Sequence, residues 1–149
     1  MRKHLSEDLL ICSSTSKECT LEKAIERVTE WVESAHAVVV YDDEEGNYWV
    51  PTPYDELEEF DYQFGVIELD GSDNLITKLF SLLHEVGHAQ DYSNRFFAGL
   101  ESRAGQESYE AEKEAWDLGE QIAKKLNIEV DETEWNKYKQ HCLQLYMEL

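Results

Sequence analysis

Basic residues are scarce in this chain. Thirteen Lys and Arg face 33 Asp and Glu over 149 residues, a formal net charge of -20. Binding to a phosphate backbone or an anionic membrane needs clustered cations, so neither nucleic acid nor membrane is an expected partner. Proline is nearly absent: Pro51 and Pro53 are the only two, which excludes a proline-rich linker. The three cysteines, Cys12, Cys19 and Cys142, are odd in number and show no CxxC spacing. A disulfide scaffold is thereby excluded, and reduced thiols in a cytoplasmic protein are expected. No apolar run reaches a membrane-spanning length. Arg2 and Lys3 lead only to Leu9-Leu10-Ile11 before the chain turns polar, which is no signal core. There is no internal repeat and no low-complexity tract.

What is present describes a folded domain. Hydrophobic residues make up 42% and aromatics 11%, too many for disorder, and the length suits one domain over residues 1–149. An acidic inhibitor that mimics DNA would share the charge, but the aromatic content and the motif below count against it. The acidity is read as a solvated surface, with a basic protein or peptide as the partner it would favour.

Residues 1 to 19 carry no sustained period and read as an arm. Thr20 caps a helix over about 21–35, whose apolar positions Leu21, Ala24, Ile25, Val28, Trp31 and Val32 follow the helical repeat. Ala37 to Tyr41 is β-branched and reads as a buried strand. Asp42 to Asn47 is a turn and Tyr48-Trp49-Val50 a returning strand, ended by Pro51 and Pro53. An acidic, aromatic segment runs to Tyr62, and Phe64 to Leu69 alternates as a third strand. Asp70-Gly71-Ser72-Asp73 forms a turn ahead of a helix over about 73–91, then a loop over 92–106 and a helix over about 107–126. Asp131 with Glu134 opens a last helix, with Trp135, Tyr138, Cys142, Leu145 and Tyr146 on one stripe. The expected class is α+β.

The helix over 73–91 contains His84-Glu85-Val86-Gly87-His88, an HExxH pattern. Residues four apart share a helix face, so both imidazoles can grip one Zn²⁺. Glu85 is then placed to take a proton from the metal's water. A catalytic zinc site needs a third protein ligand. The other histidines are His4, His36 and His141. The metzincin continuation would require Gly at 91 and His at 94, where the chain has Asp91 and Asn94. A carboxylate from the next helix remains, and Glu110, Glu112 and Glu114 offer three. At 100° per residue, Ala111, Ala115, Leu118, Gly119, Ile122 and Ala123 define the inward arc. Glu112 falls inside that arc, Glu114 on its margin and Glu110 away from it. A carboxylate on an apolar face is costly unless paired or metal-bound, so Glu112 is the preferred ligand.

These residues also carry a resemblance. HEVGH followed 24 residues later by Glu112-Lys113-Glu114-Ala115-Trp116 resembles the gluzincin zinc metallopeptidases. Gly65 to Asp70, followed by Leu79 to His88, is similar to the strand-turn-helix lead-in of compact ImmA/IrrE-type members and small phage-encoded relatives. The resemblance spans about residues 64–126. It implies a small zincin-like fold, one Zn²⁺ per chain on His84, His88 and Glu112, and Glu85 as general base in peptide-bond hydrolysis. It also implies a substrate peptide added as a strand beside Val66 to Leu69 or Tyr48 to Val50, with Tyr54 to Tyr62 as a cover for the cleft. Trp116 departs from the pattern, since many relatives have Asn, Asp or Glu there. A contact that orients a histidine would then come from Asp117 or a backbone carbonyl. Tyr109, one turn before Glu112, and Tyr92 are candidates for an oxyanion-stabilising donor. Gly87 is expected to let a neighbouring element pass close. Two other classes fit the same residues: a zincin-fold binding or sequestering protein with little hydrolytic activity, and a chance HExxH match that holds no metal.

Overall fold

The structure is a computed structural model and describes residues 20–35, 37–42, 46–57, 64–103 and 108–147. The arm at 1–19 and the segment at 58–63 lie outside the described residues, as do Cys12, Cys19, His4 and His36. The described residues form four helices and a three-stranded mixed sheet, an α+β arrangement.

Helix α1, Leu21–Ala35, starts where the sequence predicts, with the Thr20 hydroxyl accepting from the Lys23 N–H at 3.1 Å. Its stripe of Leu21, Ala24, Val28 and Val32 is fully buried. Strands β1 (Ala37–Asp42), β2 (Tyr48–Pro51) and β3 (Gly65–Asp70) follow. They do not pair in chain order. β3 lies in the middle, parallel to β1 and antiparallel to β2. The expected returning pair of β1 and β2 is therefore absent, because β3 has displaced β1 from β2. The reason is burial: Ile67 and Leu69 of β3 are fully enclosed, whereas Val38, Val40 and Tyr41 of β1 and Tyr48 and Val50 of β2 are exposed. A central strand has both neighbours to shield it, and the most enclosed strand takes that place. β1 is thus an edge rather than the buried strand expected.

The second helix, α2 (Leu75–Phe97), is longer than its apolar pattern implies. Asn74, not Asp73, caps it by accepting from the Thr77 N–H at 2.9 Å. Its last turns are held by aromatic packing that periodicity does not register. Phe96 meets Phe64 and Tyr54 edge to face, with ring centroids 5.6 and 5.1 Å apart. The helix stops at Gly99, whose φ of +73° favours glycine. Gly99 N–H donates to the Phe96 carbonyl and Leu100 N–H to that of Arg95, which closes the end as a Schellman turn. Helix α3 (Tyr109–Lys125) is capped by Ser108. Helix α4 (Glu132–Met147) is capped by Asp131, which accepts from the Glu134 N–H at 3.1 Å. Its inner side is Trp135, Tyr138, Cys142 and Leu143, while Leu145 is exposed.

α2 and α3 cross with almost no space between their backbones. A Cβ on Gly87 would overlap the Ala115 carbonyl, and one on Gly119 would lie 2.5 Å from the Leu83 carbonyl oxygen. The close pass expected at Gly87 is thus made by α3, and Gly119 supplies the reciprocal contact one turn on. Gly87→Ala should destabilise the fold by about 1–3 kcal/mol, as overpacking of a tight interior does. A melting curve indistinguishable from that of the native protein would show that the two helices have room to separate.

Candidate metal centre

The crossing of α2 and α3 brings one face of each helix to the same point. His84 and His88 project from α2 a turn apart, with ring centroids separated by 4.6 Å. Glu112, in the first turn of α3, reaches between them. Its Oε1 lies 3.0 Å from His84 Nε2 and its Oε2 lies 3.0 Å from His88 Nε2. Among the described residues these three form the group able to hold a metal ion, with ligand atoms within 4.8 Å of one another. Two ligands on one tetrahedral zinc, each about 2.0–2.2 Å from the ion, are separated by roughly 3.3 Å. The donor set therefore fits such an ion. Glu110 is exposed on α3 and Glu114 half-buried, and neither belongs to that group. His141 is exposed on α4.

Glu85 is not a member of the triad but sits against it, 6% exposed, with Oε2 at 4.0 Å from His84 Nε2. Burial pushes its carboxyl above the ordinary range, against the opposing pull of the two imidazoles. Burial also acts on Glu112, but the hydrogen bonds with His84 and His88 outweigh it and hold that carboxyl at about 2. At His88 burial works downward. The hydrogen bond with Glu112 and the charge of Glu85 more than offset it, so its pKa is raised. Two carboxyls a few ångströms apart are thus driven in opposite directions.

The triad lies in a cleft of about 450 Å³. One wall is the end of the sheet, Asn47, Tyr48 and Trp49, and the other is α4, with Tyr138, Cys142 and Tyr146. Behind the triad, Trp116 stacks on His84 with ring centroids 4.3 Å apart, and Trp135 and Tyr138 pack edge-on against Trp116. This aromatic wall dries one flank of the histidines. At the far end Arg103 donates to Asp91 Oδ1 at 2.9 Å.

Several sequence expectations fail here. Tyr109 does not line the cleft, because it packs partly buried against the apolar core. Tyr92 does not either: its hydroxyl donates to the Thr52 carbonyl at 2.5 Å. Asp117 pairs with Lys113 at 3.0 Å and Lys139 at 3.3 Å, so it orients neither histidine. Among the described residues no side chain or carbonyl takes that part at His84, whose buried Nδ1 has no hydrogen-bond partner there. The ring is positioned by stacking on Trp116 instead. Val66 to Leu69 belongs to the central strand and cannot accept a further strand, whereas β2 is an edge and reaches the cleft. Tyr54 turns away, donating to the Tyr92 carbonyl at 2.7 Å, and the rest of that cover segment lies largely outside the described residues. Asn47, Ser81, Arg103 and Tyr138 line the cleft without having been singled out. Ser81 was findable, being three residues before His84 on the same helix face. Tyr138 falls on the stripe of the last helix, whereas Asn47 and Arg103 lie outside helix and strand and leave no trace in local pattern.

No known protein family, curated protein or solved structure matches this chain.

Two outcomes follow from the geometry. Glu112→Ala should lower metal affinity by more than the roughly 10–100-fold typical of losing a supporting outer-shell group. Glu110→Ala and Glu114→Ala should leave it near the native value. Equal losses at Glu112 and Glu114, measured by titration against a competing chelator, would contradict the arrangement of the triad. The second concerns pH in the chelated protein. The raised His88 stabilises the fold below its ordinary value of 6.5, and that contribution disappears as pH rises through the raised value. Glu85, raised from its ordinary 4.5, stabilises below that value and loses the effect as pH rises, which moves the optimum towards the acid end of the window. The depressed Glu112 stabilises above its ordinary value of 4.5 and loses that effect as pH falls towards about 2. The melting temperature of the chelated protein should therefore peak between about pH 4.5 and 6.5, and Glu112→Gln should flatten the peak. A steady rise from pH 5 to 8 would contradict it.

Proposed function

We propose that this protein is a zinc-dependent endopeptidase that cleaves a narrow protein target. The observation that carries the reading is the convergence of His84, His88 and Glu112, with Glu85 buried beside them in an open cleft. Two imidazoles and one carboxylate form a catalytic rather than a structural zinc set, because three protein ligands leave a coordination position free. Zn²⁺ held there would supply a Lewis acid and a water of lowered pKa.

The chain's own residues do the remainder. Glu85 is too close to the ligands to be a bystander, and burial lifts its carboxyl towards the range in which a base can both take and return a proton. Its Oε2 takes a proton from the attacking water and hands it to the leaving amine. The edge of β2 pairs with an extended peptide through main-chain hydrogen bonds, which aligns the scissile bond along the cleft. Trp116 and its aromatic neighbours keep water from one side of His84. The net charge of -20 favours a target with a basic segment. A general protease within a cell would be harmful, which argues for narrow specificity.

A second reading, a zincin-fold protein that binds or sequesters without turnover, draws on one observation. Among the described residues His84 Nδ1 has no acceptor of the kind that ordinarily orients a ligand histidine and raises its basicity.

Glu85→Gln separates the two. It keeps size and polarity but removes the base, so elemental analysis should still find one zinc per chain. Cleavage should fall by about 10²–10⁴-fold, and a target should be trapped uncleaved in a pull-down. A variant that retains the full effect of the native protein in the same host cell would defeat the peptidase reading. Native protein purified without chelator and free of metal would defeat both.

A further inference from the structure

Resting on that reading of the cleft, we propose that Tyr138 is the hydrogen-bond donor presented to the substrate oxygen on which negative charge develops. Asn47 and Ser81 are the positioning residues that set the direction of its proton.

The Asp70 N–H donates to Asn47 Oδ1 at 3.0 Å. That bond uses the amide oxygen, so Asn47 turns its nitrogen towards Ser81 and donates from Nδ2 to Oγ at 3.3 Å. Ser81 is 4% exposed on α2, and its hydroxyl has one further partner among the described residues, Tyr138 Oη at 3.1 Å. A hydroxyl has one proton and two lone pairs. Were Tyr138 to donate to Ser81, Oγ would receive two donors while its own proton had no acceptor in a buried place, which is costly. The arrangement that satisfies every group has Ser81 donating to Tyr138. The phenolic proton is then left over, and Tyr138 lines the cleft that also holds His84 and Glu85.

The ring has little freedom to turn elsewhere. It packs against Phe80 at 5.8 Å and edge-on against Trp116 at 5.7 Å. Trp116 in turn stacks on His84, so the phenol and the metal ligand are held by one aromatic wall. A donor fixed before the substrate arrives needs no reorganisation as charge develops, which is the requirement for stabilising an oxyanion.

The test uses the full-length, zinc-loaded protein and a dipeptidyl phosphonamidate, whose tetrahedral anion mimics the charged oxygen, with binding read by calorimetry. Tyr138→Phe should weaken binding by about 10²-fold while zinc content stays at the native value and the protein remains folded, its melting temperature lowered only by the loss of the one hydrogen bond from Ser81. Asn47→Asp replaces the donating amide with a carboxylate that only accepts. It draws the Ser81 proton to itself, reverses the relay and should weaken binding about tenfold. That loss should vanish in the Tyr138→Phe background, because its effect passes through the phenol. A loss that persists there would be charge repulsion or disturbed structure, and would overturn the positioning role. Ser81→Ala repeats the cycle should Asn47→Asp fail to fold. Native binding with full affinity retained in Tyr138→Phe overturns this proposal alone. A native protein that holds zinc but does not bind the phosphonamidate overturns the peptidase reading, and this proposal with it.

Discussion

The close crossing of α2 and α3 is the constraint on which the rest of the molecule depends. Gly87 and Gly119 let each helix backbone rest against a carbonyl of the other, at Ala115 and Leu83. Helices separated by ordinary side chains lie about 8–10 Å apart. At a larger separation, a side chain as short as Glu112 would not reach both imidazoles. The convergence of His84, His88 and Glu112 is therefore a consequence of two absent side chains as much as of three present ones. The same crossing lays Trp116 flat against His84, because it sits one turn after Glu112 on the same helix face.

Around this crossing the molecule divides its electrostatics sharply. The surface is strongly acidic, and the centre gathers Glu85, Asp91 and Glu112 along one cleft. Each is compensated differently: Glu112 by two imidazoles, Asp91 by Arg103, and Glu85 by a raised proton affinity.

The helices were largely legible because an amphipathic helix writes its buried face into the sequence every three or four residues. Thr20 and Asp131 were readable as caps, and Glu112 could be ranked above Glu110 and Glu114 by phase alone. The last turns of α2 were not, since they depend on Phe64 and Tyr54, which are distant in the chain. Strand order was not either. Alternation identifies a strand but carries no address for its neighbour, and the exposed β1 reads as β-branched and apolar just as a central strand would.

Local spacing alone determined that His84 and His88 share a helix face, that an inward carboxylate follows on the next helix, and that the chain is α+β. These are properties of one helix turn or one strand and need no partner. Tertiary structure decided that β3 lies between β1 and β2, that β2 is the edge beside the cleft, and that Tyr109, Tyr92 and Asp117 face elsewhere. It also brought Asn47, Ser81 and Tyr138 into one hydrogen-bonded line from three distant parts of the chain. A sequence specifies which way a side chain points along its own element. What it meets there depends on how elements far apart in the chain come to pack, and local periodicity holds no record of that.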